Sequence, residues 1–236
     1  MVSVPSPRPS AATADLDPEL SETYEIGAKL TPLKRLSLTA SVFESRKNNA
    51  KQVDPATGFV DAQSGQRQRF RGVELGLSGH VTDAWEIEAG YSWLDARILE
   101  DFSCGTTAPI VCKPNPYTIG QEVVFVPRQA ASVWSTYQLK RIAPGLKIGG
   151  GATYQSRLRL GYAVAGTAPN PTGLSRIAET PYSLSFDAMV SYDTAHWRIA
   201  LNGYNLSDRL NYGSVFSNRA VPAPGHSFAL SLGAMF

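Results

Sequence analysis

The chain has 236 residues, 43% of them hydrophobic and 18% charged, a composition that suits a globular protein and a membrane barrel equally well. Its 22 Lys and Arg against 20 Asp and Glu leave no strongly basic field, which argues against a nucleic-acid partner. No run approaches the ~18 apolar residues of a membrane-spanning helix, so any membrane role must fall to strands.

Residues 1–20 are rich in Pro, Ser and Ala and read as a loop or disordered lead-in, without the apolar core of a secretory signal. From Ser21 a single pattern recurs: a stretch of period-2 alternation, a short turn, a second stretch, then a long polar loop. The first stretch sets Tyr24, Ile26, Ala28 and Leu30 against Glu25, Gly27 and Lys29, and Thr31–Arg35 turns it. The second sets Leu36, Leu38, Ala40 and Val42 against Ser37, Thr39 and Ser41. A long loop around Asp54–Gly58 follows, then Val73, Leu75 and Leu77 alternate with Glu74, Gly76 and Ser78 up to a short turn at His80–Ala84.

The fourth stretch alternates most clearly, with Trp85, Ile87, Ala89, Tyr91 and Trp93 on one side and Glu86, Glu88, Gly90 and Ser92 on the other. Acidic side chains facing a closed apolar core would be costly, whereas a water-filled lumen accepts them. A loop from about Ile98 to Val126 leads to a fifth strand ending near Leu139, and Lys140–Gly145 turns into a sixth, Leu146–Gln155. After a loop to Pro181, the seventh runs Tyr182–Tyr192 and the eighth starts at Trp197.

The ninth, Gly225–Phe236, turns Phe228, Leu230, Leu232 and Phe236 to one face and small residues to the other. Tyr182 and Tyr192 bracket an apolar face ten residues long, which spans roughly 25 Å when tilted like a barrel strand. Short turns after the odd strands and long loops after the even ones predict periplasmic turns and external loops. An odd count of nine closes no ordinary antiparallel bacterial barrel, and each unpaired backbone group at a lipid-exposed edge costs several kcal/mol. The expectation is therefore the C-terminal part of a larger barrel.

Several phrases occur in order: Leu16–Glu19 before Tyr24–Lys29, Gln68–Leu75 (QRFRGVEL), Ala89–Ser92, Val126–Arg128, Asn205–Tyr212 (NLSDRLNY) and Pro224–Phe228 with a final Phe236. Together they resemble the C-terminal half of TonB-dependent outer-membrane receptors for ferric siderophores. The resemblance implies an all-β, antiparallel up-and-down transmembrane β-barrel segment, here about nine of an expected 22 strands, covering residues 21–236. It also implies a plug domain and a TonB-contacting box that this chain does not contain. Phe228, Leu230, Leu232 and Phe236 resemble the terminal tag read by the barrel-insertion machinery.

Read as such a receptor, the chain offers ligand candidates in its external loops. Continuing strand parity beyond Gln155 turns Arg157 and Arg159 toward the lumen mouth, where they would attract an anionic ferric siderophore, a solvated loop base being the alternative. Tyr162, Tyr212 and Arg219 are candidates of the same kind. Arg67, Arg69 and Arg71 share parity with Val73 at the outer end of a strand, where they would meet lipopolysaccharide phosphates or bulk water. Cys104 and Cys112 share one external loop and are expected to form a disulfide, with free thiols the alternative.

No metal set, catalytic set or cofactor motif is expected. Gly76–His80 approaches a nucleophile elbow but lacks the closing Gly and the strand-turn-helix setting. The competing functions are an outer-membrane barrel enzyme, protease or lipase, and a passive porin-like channel.

Overall fold

The computed structural model describes residues 18–53, 60–104, 112–161, 178–216 and 219–234. In chain order the strands are β1 (Leu20–Leu33), β2 (Leu36–Val53), β3 (Val60–His80), β4 (Trp85–Glu100), β5 (Phe102–Cys104), β6 (Cys112–Pro114), β7 (Gln129–Gln138), β8 (Leu146–Gln155), β9 (Ser183–Asp193), β10 (Trp197–Tyr204), β11 (Tyr212–Phe216), β12 (Arg219–Pro222) and β13 (Ser227–Ala234). Nine of them form one sheet in the order β1-β2-β3-β4-β7-β8-β9-β10-β13. Every neighbouring pair in that sheet is antiparallel. The hairpins β5-β6 and β11-β12 are separate two-stranded sheets within the long connections.

The sheet is built inside out. Register places Trp85, Tyr137, Ile148, Val190, Leu201 and Leu230 in one row across six strands. Trp85, Tyr137, Ile148, Val190 and Leu201 are 38–46% exposed and Leu230 is 63% exposed. A soluble sheet would bury such a row, and a lipid-facing wall has to present it. Among the described residues the buried apolar side chains are few: Ala50, Ala96, Ile98, Val123, Leu158 and Ala200.

The opposite face carries the row Ser78, Glu88, Trp134, Gly151 and Asp187. The absence of a side chain at Gly151 makes room for the indole, since a Cβ there would come within 2.6 Å of Trp134 Cε3. Polar and small residues on this face fit a wet lumen, as the alternation of β4 predicts.

The β3-β4 and β9-β10 turns share one construction. Thr82 Oγ1 accepts the amides of Ala84 and Trp85, and Thr194 Oγ1 accepts those of His196 and Trp197. Each Thr thus sets a Trp at the first position of the ascending strand. Trp85 Nε1 donates to Ser135 Oγ at 2.7 Å, and the rings of Tyr192 and Trp197 lie 5.7 Å apart. This is the aromatic girdle on the short-turn side. Gly79 (φ +130°) closes the β3 end of its turn, where a Cβ would run into the Arg35 carbonyl oxygen.

The strands outrun the sequence reading, at the short-turn end of β1 and at the outer ends of β2 and β3. β1 continues to Leu33, so its turn is only Lys34 and Arg35; β2 reaches Val53 and β3 starts at Val60, where a long loop was expected. The Asp54–Gly58 centre of that loop lies outside the described residues, as do Met235 and Phe236 and most of the lead-in.

Candidate functional site

The loop-side ends of the strands gather charge. Glu44 on β2 meets Arg71 of β3 and, at 2.7 Å, Arg46. Asp95 on β4 lies 3.6 Å from Arg69 and 2.7 Å from Arg97. Arg67 pairs with Glu100 at 2.6 Å and donates to Asn48 Oδ1. Each of Arg67, Arg69 and Arg71 therefore already has a carboxylate partner on its own sheet, whichever external anion is considered.

The segment after β6 extends this cluster. Val123 N donates to Ala96 O and Ile98 N to Gln121 O, which seats Val123 on Ala96 and Ile98, with Phe70 and Val126 packed around them. Alternation then turns Glu122 to the other face, where it bridges Arg97. Its carboxylate, with a side chain only 16% exposed, lies 3.7 Å from Arg97, 3.3 Å from Arg159 Nε and against Arg128. Glu179 in turn lies 3.5 Å from both Arg157 and Arg159.

Five arginines (69, 97, 128, 157, 159) thus share three carboxylates (95, 122, 179), an excess of two positive charges. Of Arg157 and Arg159, both predicted to face the lumen, Arg159 instead shares Glu122 with Arg97, whose parity is that of lipid-facing Trp93, whereas Arg157 pairs with Glu179. The count of parity from Gln155 breaks because β8 ends there and Ser156–Leu158 is not strand. Arg159 is largely enclosed, with a side chain 23% exposed, whereas Arg157 at 59% keeps a face open to an anion.

The other candidates do not converge on this pair. Tyr212 stands opposite Pro222, and Arg219 opposite Phe216 at the far end of the same β11-β12 hairpin. Tyr162 lies outside the described residues. Cys104 and Cys112 are direct partners at the end of the β5-β6 hairpin. The base of that hairpin is fixed by buried Asp101, whose carboxylate accepts from Gln66, Asn115 and Thr118.

A second polar cluster, which sequence reasoning missed, sits where β9, β10 and β13 meet. Asn205 and Asn211, 5% and 7% exposed, bond backbone groups of three chain segments. Nearby, His226 Nδ1 lies 3.0 Å from Asp208 Oδ1, which also accepts the His226 amide at 3.1 Å. These two bonds hold the Asp208 carboxyl below its ordinary range, the backbone amide being the larger cause. The pair resembles a catalytic His-Asp couple, yet among the described residues no hydroxyl is bonded to the other ring nitrogen. Gly76–His80 likewise lies on a wall strand, with His80 paired to Glu86. Among the described residues no group of three His, Cys, Asp or Glu is arranged to hold a metal ion.

A family model described as the TonB-dependent receptor-like β-barrel matches residues 3–206. The chain belongs to the TonB-dependent receptor β-barrel family. Membership implies an outer-membrane setting and a receptor or transporter family. The chain is 34% identical over 222 residues to the "Probable TonB-dependent siderophore receptor PiuA" of Acinetobacter baumannii, covering 92% of this chain and 27% of that protein. It is 29% identical over 203 residues to the catecholate siderophore receptor Fiu of Escherichia coli K12, covering 84% of this chain and 23% of that protein. Among solved structures, the closed form of the ferric-catecholate import receptor Fiu matches with a TM-score of 0.70 at 24% identity, over 98% of this chain and 30% of that one. This TonB-dependent receptor barrel therefore spans about a quarter of the length of these relatives, and the fold likeness extends over nearly all of it.

Proposed function

We propose that these nine strands are the closing, C-terminal part of a TonB-dependent ferric siderophore receptor. The observation that carries the reading is the outward apolar row from Trp85 to Leu230 on a sheet whose two edges, β1 and β13, need further strands. The likeness to siderophore receptors supports a ferric siderophore as the cargo of that barrel. Strands β1 and β13 run in the same direction, because they hold the first and ninth places of an antiparallel sheet. An antiparallel barrel is then completed by an odd number of additional strands, which fits the thirteen that the family pattern leaves over.

In the complete receptor, ferric siderophore would cross the outer membrane on energy relayed through TonB, which would contact the polypeptide outside this chain. Arg157, the most open cation of the Glu179 pair, is the residue of this chain best suited to an anionic chelate; Arg159, Tyr162, Tyr212 and Arg219 stand behind it. Lipopolysaccharide would meet the outer belt around Arg67, Arg69 and Arg71. The β13 residues Phe228, Leu230 and Leu232, followed by Phe236, would be read by the insertion machinery. The test is uptake of radiolabelled ferric siderophore by cells expressing the complete receptor under iron limitation. Uptake that disappears with TonB supports the reading; uptake indifferent to TonB sinks it in favour of a passive channel.

A further inference from the structure

We propose that the corner formed by Asn205, Asp208 and Asn211 is a register lock for the C-terminal strand: it decides which residue of β13 pairs with β10. The inference does not depend on the cargo proposed above.

The need for a lock follows from topology. β13 has one described neighbour, β10, and the 22 residues between them (205–226) are too many for a turn to set the pairing. β10 itself is held on its other side by a short turn to β9 and six paired residues. A slip of one residue in β13 would turn Phe228, Leu230 and Leu232 into the lumen and Ala229, Ser231 and Gly233 toward lipid. Along the lumen face, small side chains provide little packing that would resist such a slip.

The corner, which directly follows β10, meets that need with bonds to fixed points on β9 and on the segment just before β13. From the β9 side, Asp187 Oδ1 accepts the Asn205 amide at 2.8 Å, and Phe186 O accepts the Leu206 amide. Asn211 Nδ2 donates to Leu184 O, and Asn211 Oδ1 accepts from Leu184 N, both at 2.9 Å. On the approach to β13, Asn205 Nδ2 donates to Pro224 O at 3.3 Å, Asn211 O accepts the Ala223 amide at 2.8 Å, and Asp208 takes the His226 amide. Residues 223–226 are thereby anchored immediately before the first β10-β13 pair, Tyr204 with Ser227.

The next pair completes the choice. Gly203 stands opposite Phe228, and a Cβ at Gly203 would come 3.0 Å from the Phe228 ring and 2.8 Å from Leu206. The aromatic ring covers the bare backbone at that level, and a slip would remove it. Both asparagines are buried with their amides satisfied, so neither can rotate away without leaving an unpaired polar group.

The test uses the receptor polypeptide that carries this chain, in outer membranes, with Cys104 and Cys112 replaced by Ser. The pair Asn202→Cys with Ala229→Cys reports the native register, and Asn202→Cys with Leu230→Cys reports a slip of one residue; disulfide yield is read after mild oxidation. A third pair, Ser132→Cys with Thr153→Cys on β7-β8, controls for general loss of the sheet. Adding Asn205→Ala and Asn211→Ala should lower the native yield relative to the slipped yield by about tenfold, two hydrogen-bonded anchors being lost, while the β7-β8 yield holds. Asp208→Ala, which leaves both asparagines in place, should fall in between, and it decides alone where the double variant does not accumulate. Native-register yield unchanged in every variant that reaches the membrane overturns the proposal. So does an equal fall in all three pairs, since that would make the corner a general stabiliser.

Discussion

Arg159 Nε lies 3.3 Å from Glu122 Oε2, and the same carboxylate holds Arg97 and Arg128. Glu122 is thus the keystone between the segment after β6 and the segment after β8, a contact between two connections that are far apart in sequence. Removing it leaves three guanidiniums together with only Asp95 and Glu179 nearby. Glu122→Ala should loosen these connections by about 1–2 kcal/mol, less than a fully buried pair because the arginines remain partly wet. The expected readout is faster trypsin cleavage after Arg128 and Arg159 on intact cells, with the gain over the unaltered protein shrinking in high salt.

A sharper test of the inside-out sheet compares neighbours on β10. Leu201 sits between Val190 and Leu230 on the lipid side, and Asn202 between Met189 and Ala229 on the lumen side. Leu201→Arg should cost about 2–4 kcal/mol if it lies near the bilayer midplane, and less toward either interface, whereas Asn202→Arg should cost little. Urea unfolding of the complete barrel in lipid measures both. Equal penalties would mean that the two faces are not lipid and water.

That contrast also explains what could be read from the sequence. Trp85–Trp93 shows its faces because lipid on one side and water on the other impose period two, and the same code yields all nine strands of the sheet. Beyond the membrane both faces of a strand meet water or loops, so the code vanishes: Arg46–Val53 alternates in nothing, yet β2 continues through it past an irregularity at Lys47–Ala50. The short hairpins β5-β6 and β11-β12 escaped notice for the same reason. Parity carried past Gln155 fails for Arg159 because it has no meaning once a strand ends. The NLSDRLNY phrase was visible as a phrase, but its work is backbone bonding by Asn205 and Asn211 to β9 and to the approach to β13, which no local pattern encodes.

Cys104 and Cys112 face each other in the β5-β6 register. Directly opposed antiparallel residues have Cα atoms about 4.5–5.5 Å apart, within the range a disulfide spans. In an exported chain the pair should be oxidised. Mass spectrometry after alkylation should find no free thiol until a reductant is added, and Cys104→Ser with Cys112→Ser should speed proteolysis of the external loop while leaving the barrel's unfolding unchanged. Alkylation of both thiols without reductant would contradict the pairing.

The Asp208–His226 clasp carries a pH dependence whose sign is fixed by its cause. The folded carboxyl is lowered, chiefly by the His226 backbone amide and then by the imidazole. A lowered acid stabilises the fold above its unfolded value, about 3.9, and that contribution is lost as pH falls through the folded value below it. The clasp should therefore hold at neutral pH and loosen in strong acid. Because the amide cannot titrate, His226→Ala should retain most of the protection and Asp208→Ala should lose it at every pH. Hydrogen exchange of residues 223–227, corrected for intrinsic rates, measures both. Exchange in the unaltered protein that is already fast at neutral pH would show that the clasp does not hold, and His226→Ala matching Asp208→Ala would show that the imidazole rather than the backbone bond closes the corner.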